Sequence, residues 1–342
     1  MKLSVNKATP TASILCCLLL LFACSPDVPE TDEQSYILEI PRGFPPLPIP
    51  TDNPFTESKI ALGKKLFFDP ILSVDSTISC SSCHATELAF ADNVVISPGV
   101  EGRLGFRNSP TLANIAYAPY MLMDGGVPAI EQQIYVPLED YHEMDFNMVL
   151  LIKRLQANSE YSNLFYQVFQ KVPDAFGITR ALSAYERTLI SGNSLFDKYF
   201  YQNNSSALDD SQIRGMQLFF SDDLNCSKCH SEFNFTNYSF ENNGLYEDYG
   251  ADSGRARITH NAIDADKFKV PTLRNVELTA PFMHDGSIAT LQDVIEHYNS
   301  GGANHPNKNP LIKPLELSSE QKSDLLHFLM SLTDNDFTHQ NE

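Results

Sequence analysis

Apolar residues recur at helical spacing in two places where the surrounding sequence also repeats. Gly63-Lys64-Lys65-Leu66-Phe67-Phe68 returns as Gly215-Met216-Gln217-Leu218-Phe219-Phe220, each time a glycine three residues ahead of a Leu-Phe-Phe run. In the second copy Ile213, Met216 and Phe220 share one helical face, and Asp209, Asp210 and Ser211 stand ahead of it as candidate caps. Nearer the C-terminus, Ser318 and Gln321 form a capping box before Leu325, Leu329 and Leu332. Period-two alternation is scarce, so the pattern predicts a mainly helical fold with long loops. An apolar run from Ile14 to Ala23 follows Lys2 and Lys7; it is short for a bilayer span and reads as the core of an export signal. From Cys24 to Asn53 the chain carries Pro41, Pro45, Pro46, Pro48 and Pro50 and reads as an extended tether.

A second echo fixes the organisation. Pro110-Thr111-Leu112-Ala113-Asn114, followed by Pro119 and Asp124-Gly125, matches Pro271-Thr272-Leu273-Arg274-Asn275, followed by Pro281 and Asp285-Gly286. The chain therefore reads as two copies of one unit. The expected boundaries are a leader at 1–23, a tether at 24–53, and domains at 54–207 and 208–342, the last two long enough for a core each.

The chemistry sits between the paired motifs. Cys80 and Cys83 precede His84, and Cys226 and Cys229 precede His230. Two thiols three residues apart can each add across a haem vinyl group while the adjoining imidazole ligates the iron, so two covalent c-type haems are expected. A zinc site would need two further ligands beside each pair, and none is placed in sequence; redox use of the thiols is the other alternative. Cys16 and Cys17 fall in the leader. Cys24, after Ala23, resembles a lipoprotein cleavage site and would carry the lipid; an ordinary cleaved signal is the alternative. Either route exports the chain, and a membrane-tethered lipoprotein of the periplasm or cell envelope is expected.

Against 24 basic residues stand 43 acidic ones, and loss of Lys2 and Lys7 with the leader would take the formal charge from −19 to about −21. Such a surface argues against nucleic acid; it suits a basic partner or serves solubility alone.

The runs Arg107-Asn108-Ser109-Pro110-Thr111-Leu112, Lys269-Val270-Pro271-Thr272-Leu273-Arg274-Asn275 and His284-Asp285-Gly286 resemble the bacterial dihaem cytochrome c peroxidase family, including its MauG-type branch. The resemblance runs from about Asn53 to the C-terminal end. It implies two cytochrome c-like domains, haems flanking their interface, and a calcium ion between them. The haem on His84 would be peroxidatic and that on His230 would transfer electrons. The distal acid falls on Glu143 and the distal amide on Gln133, a pair able to move a proton between peroxide oxygens and to hold an oxygen or a water. Calcium would take the side chain of Asn108 and the carbonyls of Thr279 and Pro281. Partners implied are hydrogen peroxide and a small electron donor, a cytochrome c or a cupredoxin; family members often pair as dimers.

Departures from the family pattern are informative. Family members that need reductive activation keep a histidine beyond the first haem motif, yet Ala85 to Tyr141 holds none, and the loop reads Ser97-Pro98-Gly99-Val100-Glu101-Gly102. An open sixth position at the first haem, active without prior reduction, follows; His142 is the nearby imidazole that could close it. At the second haem Tyr298 stands where an axial methionine is common, as in the MauG-type arrangement, with Met283 the alternative ligand. The chain has no tryptophan, and Met123 stands where the family places an interhaem indole. The expected function is a dihaem peroxidase. The alternative is a MauG-type oxidase using high-valent iron on a protein or small molecule. A pure electron carrier would have no use for Glu143 and Gln133.

Overall fold

The computed structural model describes residues 36–339 together with Lys2 and Ser4. The leader and Cys24 therefore lie outside the described residues, apart from Lys2 and Ser4. The chain divides into a unit Met1–Glu33, where Lys2 and Ser4 are both exposed, and a unit Gln34–Glu342 that carries both haem motifs. No described helix is long and apolar enough to cross a membrane.

The second unit is mainly helical. In chain order come α1 (Glu57–Phe68), α2 (Ile130–Gln133), α3 (Tyr135–Glu139), α4 (Met148–Ala157), α5 (Ser159–Phe169), α6 (Ala175–Glu186), α7 (Leu195–Phe200), α8 (Asp210–Phe219), α9 (Cys226–Cys229), α10 (Ala256–Thr259), α11 (Leu291–Ser300), α12 (Ser319–Met330) and α13 (Asn335–His339). One short antiparallel pair, β1 (Phe240–Glu241) with β2 (Phe268–Lys269), is the described sheet. The capping box at Ser318 and Gln321 starts α12, and at α8 Asp209 is the N-cap, boxed with Gln212.

The repeated glycines have a packing reason. A Cβ on Gly63 of α1 would sit 1.9 Å from the Ala181 carbonyl of α6, and one on Gly215 of α8 would sit 1.9 Å from the Asp324 carbonyl of α12. Each helix thus crosses its partner at a distance only glycine permits, with Tyr185 and Phe328 as the next neighbours. We expect Gly215→Ala to destabilise the holoprotein by about 1–3 kcal/mol through overpacking, despite alanine's better helix propensity. A melting curve of the variant checks this.

Two apolar cores lie behind these crossings. One joins Leu62, Leu66 and Phe67 to Phe90, Leu151, Phe165 and Tyr185; the other joins Phe219 to Phe235, Ile295, Leu325 and Phe328. The repeated asparagines link them. Asn114 and Asn275 both adopt left-handed backbone, and their N–H groups donate to Leu189 and Leu332 carbonyls at 2.8 and 3.1 Å. Their amides meet at Ser191, Asn114 donating to its carbonyl and Asn275 to its hydroxyl, both at 2.9 Å. The described part of the proline-rich stretch is extended and fastened to the body, not a free spacer. Phe44 packs on Phe233 at 4.6 Å, and fully buried Asn53 donates to Glu131 and Ser183.

Candidate haem sites

Each CxxCH motif closes a single helical turn that gathers its two thiols and imidazole. The His84 N–H donates to the Cys80 carbonyl at 3.0 Å and the His230 N–H to the Cys226 carbonyl at 2.9 Å. Both rings are then oriented alike. His84 Nδ1 donates to the Phe90 carbonyl at 2.9 Å, and His230 Nδ1 to the Phe235 carbonyl at 3.1 Å. Burial holds both imidazoles below their ordinary pKa, hence neutral, with Nε2 as the free donor atom. The Pro-Thr-Leu motifs support this from a distance. Thr111 donates its hydroxyl to the Ala89 carbonyl, and Thr272 donates to that of Asn234, fixing the residue before each accepting phenylalanine.

The four cysteines form no disulfide with one another. A zinc centre would need further ligands beside each pair, and no cluster of three metal-holding His, Cys, Asp or Glu occurs among the described residues. The donor set fits covalent haem: paired cysteines, a neutral histidine with Nε2 free, and apolar walls.

In the C-terminal half a cavity of about 300 Å³ is lined by Cys226, Cys229, His230, Met283 and Tyr298. It also reaches Asn108, Thr279 and Pro281, the three candidate calcium ligands. The amide nitrogen of Asn108 is occupied by the Val94 and Val95 carbonyls at 3.0 and 3.2 Å, which leaves Oδ1 to offer a cation. Burial pushes Tyr298 up to about 12, a hydrogen bond from Asn243 opposing. His284 stacks on Phe268 at 3.8 Å in the same cavity. Met123 lines it too, held by the Lys269 N–H at 2.7 Å beside buried Asp124, which accepts from Arg107 and Arg257.

Glu143 lies in the field of the first motif, its charge acting on both Cys80 and Cys83. By surface area Glu143 is an exposed residue, yet its carboxyl is desolvated: burial, then Asp140, push it up to about 7, with His142 opposing. Ionisation depends on the surroundings of the carboxyl oxygens and not on the area the rest of the side chain exposes. The loop without histidine is tied to this residue. The Val100 N–H donates to the Glu143 carbonyl at 2.9 Å, and Gly99 lies where a Cβ would stand 2.1 Å from the His142 carbonyl. His142 itself turns to Asp140 at 3.3 Å and packs on Phe106 at 5.0 Å.

Gln133 ends α2, and its Oε1 is buried without a hydrogen-bond partner. That helix is anchored by Glu131, which receives Arg187 on both oxygens and Ser183 at 2.9 Å; the guanidinium leads the forces holding its carboxyl down at about 2 against burial, the largest opposing effect. Sequence reading missed this clamp. It missed Glu186 too, a buried acid pushed by burial up to about 8 and acting on Cys80. Charged residues inside the otherwise apolar end of α6 were the available signal. Asn243 offered none.

Two covalent haem sites on one helical scaffold define a dihaem c-type cytochrome. The chain belongs to the di-haem cytochrome c peroxidase family, whose model matches residues 57–205. It is 35% identical over 290 residues to the methylamine utilization protein MauG of Methylorubrum extorquens, covering 84% of this chain and 81% of that one. To the cytochrome-c peroxidase IdrP1 of a Pseudomonas species it is 34% identical over 325 residues, covering 85% and 84%. A crystal structure of a MauG-like protein associated with microbial copper homeostasis superposes with a TM-score of 0.84 at 32% identity, covering 89% of this chain and 97% of that one. The family binds two haems, and its named members divide between peroxidases and MauG.

Proposed function

We propose that the chain is a cytochrome c peroxidase, reducing hydrogen peroxide with two protons and two electrons to two waters, without reductive activation. The observation that carries this is the pairing of Glu143, fixed by the Val100 N–H on its carbonyl at 2.9 Å and desolvated at its carboxyl, with Gln133, whose buried Oε1 has no partner. A haem held by Cys80, Cys83 and His84 would supply the redox chemistry for peroxide at this site. Glu143 removes a proton from one peroxide oxygen and delivers it to the other, which leaves as water. Gln133, with its buried unpartnered end, holds the oxygen or water on that side. The loop Ser97–Gly102 brings no imidazole to this face, and His142 is engaged with Asp140.

A haem held by Cys226, Cys229 and His230 would serve electron transfer from a small cytochrome c or cupredoxin, the acidic surface favouring a basic donor. Tyr298 is its distal ligand, supported by its place in the cavity with His230. Asn108, Thr279 and Pro281 would hold a structural calcium ion. The domains divide at 207/208. The protein is exported, tethered by lipid on Cys24 in the periplasm or cell envelope, and pairs as a dimer.

Tyr298 also supports a second reading, a MauG-type oxidase acting on a protein or small molecule. We expect Tyr298→Phe to abolish the parent low-spin signal of the second haem while leaving that of the first; an unchanged absorption spectrum defeats the ligand assignment. Steady-state peroxide reduction by the oxidised enzyme with reduced donor cytochrome separates the readings. Rapid turnover supports the peroxidase; peroxide consumption with poor donor oxidation supports the oxidase.

A further inference from the structure

We infer that Asn243 selects the distal ligand of the second haem, holding the Met283 sulfur aside so that Tyr298 faces the iron. This rests on Tyr298 being that ligand. Both candidates, Met283 and Tyr298, line the cavity with His230, and so does Asn243. The Asn243 amide engages one of them directly: Nδ2 donates to Met283 Sδ at 3.2 Å. A hydrogen bond to a thioether engages a sulfur lone pair, the same electrons a ligating methionine gives to iron.

The amide cannot serve in reverse. Its Oδ1 accepts the Leu245 N–H at 3.2 Å, which turns Nδ2 into the cavity. The loop is also fastened to the helix that carries the tyrosine. His297, adjacent to Tyr298 on α11, donates Nε2 to the Asn243 carbonyl at 3.1 Å, and the Ala303 N–H donates to the Gly244 carbonyl at 2.7 Å. Gly302 allows this approach, because a Cβ there would stand 2.8 Å from the Gly244 carbonyl and 3.0 Å from that of Asn243. Backbone contacts thus set Asn243 relative to Tyr298, while its side chain restrains Met283. Asn243 is a positioning residue, and the sequence gives this chain two ligands of opposite effect: methionine raises the potential of a histidine-ligated haem relative to an anionic oxygen ligand.

The test uses the full-length holoprotein, reading the absorption and paramagnetic resonance of the oxidised second haem and its reduction potential. Asn243→Leu should lose the parent signal and gain one of more positive potential, and adding Met283→Leu should remove that new signal. Met283→Leu alone should keep the parent signal. Should Asn243→Leu yield no holoprotein, Asn243→Ser is judged by the same criteria. A parent signal retained without Asn243, or a new signal indifferent to Met283, overturns the proposal and leaves the Tyr298 assignment standing; loss of the parent signal in Met283→Leu alone overturns both, because it makes Met283 the parent ligand. A parent signal that survives Tyr298→Phe overturns the assignment itself, and with it this role.

Discussion

Glu143→Gln is expected to lose peroxide turnover by roughly 10²- to 10⁴-fold, the range for a positioned acid–base group, with both haems retained. The side chain keeps its size and loses only the capacity to carry a proton. The pH profile should change with it. Burial places the Glu143 carboxyl at about 7 against an ordinary value of 4.5, so the base form accumulates as pH rises through about 7. In the parent, kcat/KM should climb across that window and level above it; in the variant the inflection should vanish. Stability should move the other way. A carboxyl whose pKa is raised by folding costs the folded state stability once ionised, so above about pH 7 the glutamine variant should be at least as stable as the parent. Peroxide assays and melting curves across pH read both effects. A variant as active as the parent would remove Glu143 from the chemistry.

Arg274→Met should destabilise the holoprotein by about 3–5 kcal/mol, because it leaves a buried carboxylate without its partner. Arg274 is 1% exposed and Asp197 0%. The guanidinium donates to both Asp197 oxygens at 2.8 and 2.9 Å and, through Nε, to the Phe233 carbonyl at 2.8 Å. It also covers the Phe44 ring at 4.6 Å. Asp197 remains bound to the Ser194 N–H and hydroxyl, which cannot neutralise it. The second haem should respond first, since Phe233 lies in the loop between His230 and the Phe235 carbonyl that orients it. Adding Asp197→Asn should restore part of the loss. Melting followed at each haem's absorption reads the order of events, and a variant that melts with the parent would contradict the account.

The haem motifs were legible because their chemistry is local, three residues of fixed type at fixed spacing. The Gly-x-x-Leu-Phe-Phe repeat was legible as a repeat, while its reason was not. Its partners on α6 and α12 present Ala181 and Asp324, then Tyr185 and Phe328, at matching positions. What recurs there is a backbone carbonyl and a ring, which leaves little trace in residue identity. Glu143 among 43 acidic residues could be found only through resemblance; its desolvation is made by chain far from it in sequence. Long-range pairs were beyond reach for the same reason: Arg274 with Asp197, Glu131 with Arg187, and Phe44 on Phe233 depend on the tertiary fold. The proline-rich stretch shows the limit plainly. Composition implies its extended backbone, but nothing local says that Asn53 is buried against Glu131 and Ser183.

The inequality of the two haems is the core of the account, and paramagnetic resonance of the oxidised holoprotein tests it most directly. The account predicts one high-spin ferric signal, from the haem on His84 with its sixth position open, and one low-spin signal, from the haem on His230 closed by Tyr298. Two low-spin signals with no high-spin component would contradict it.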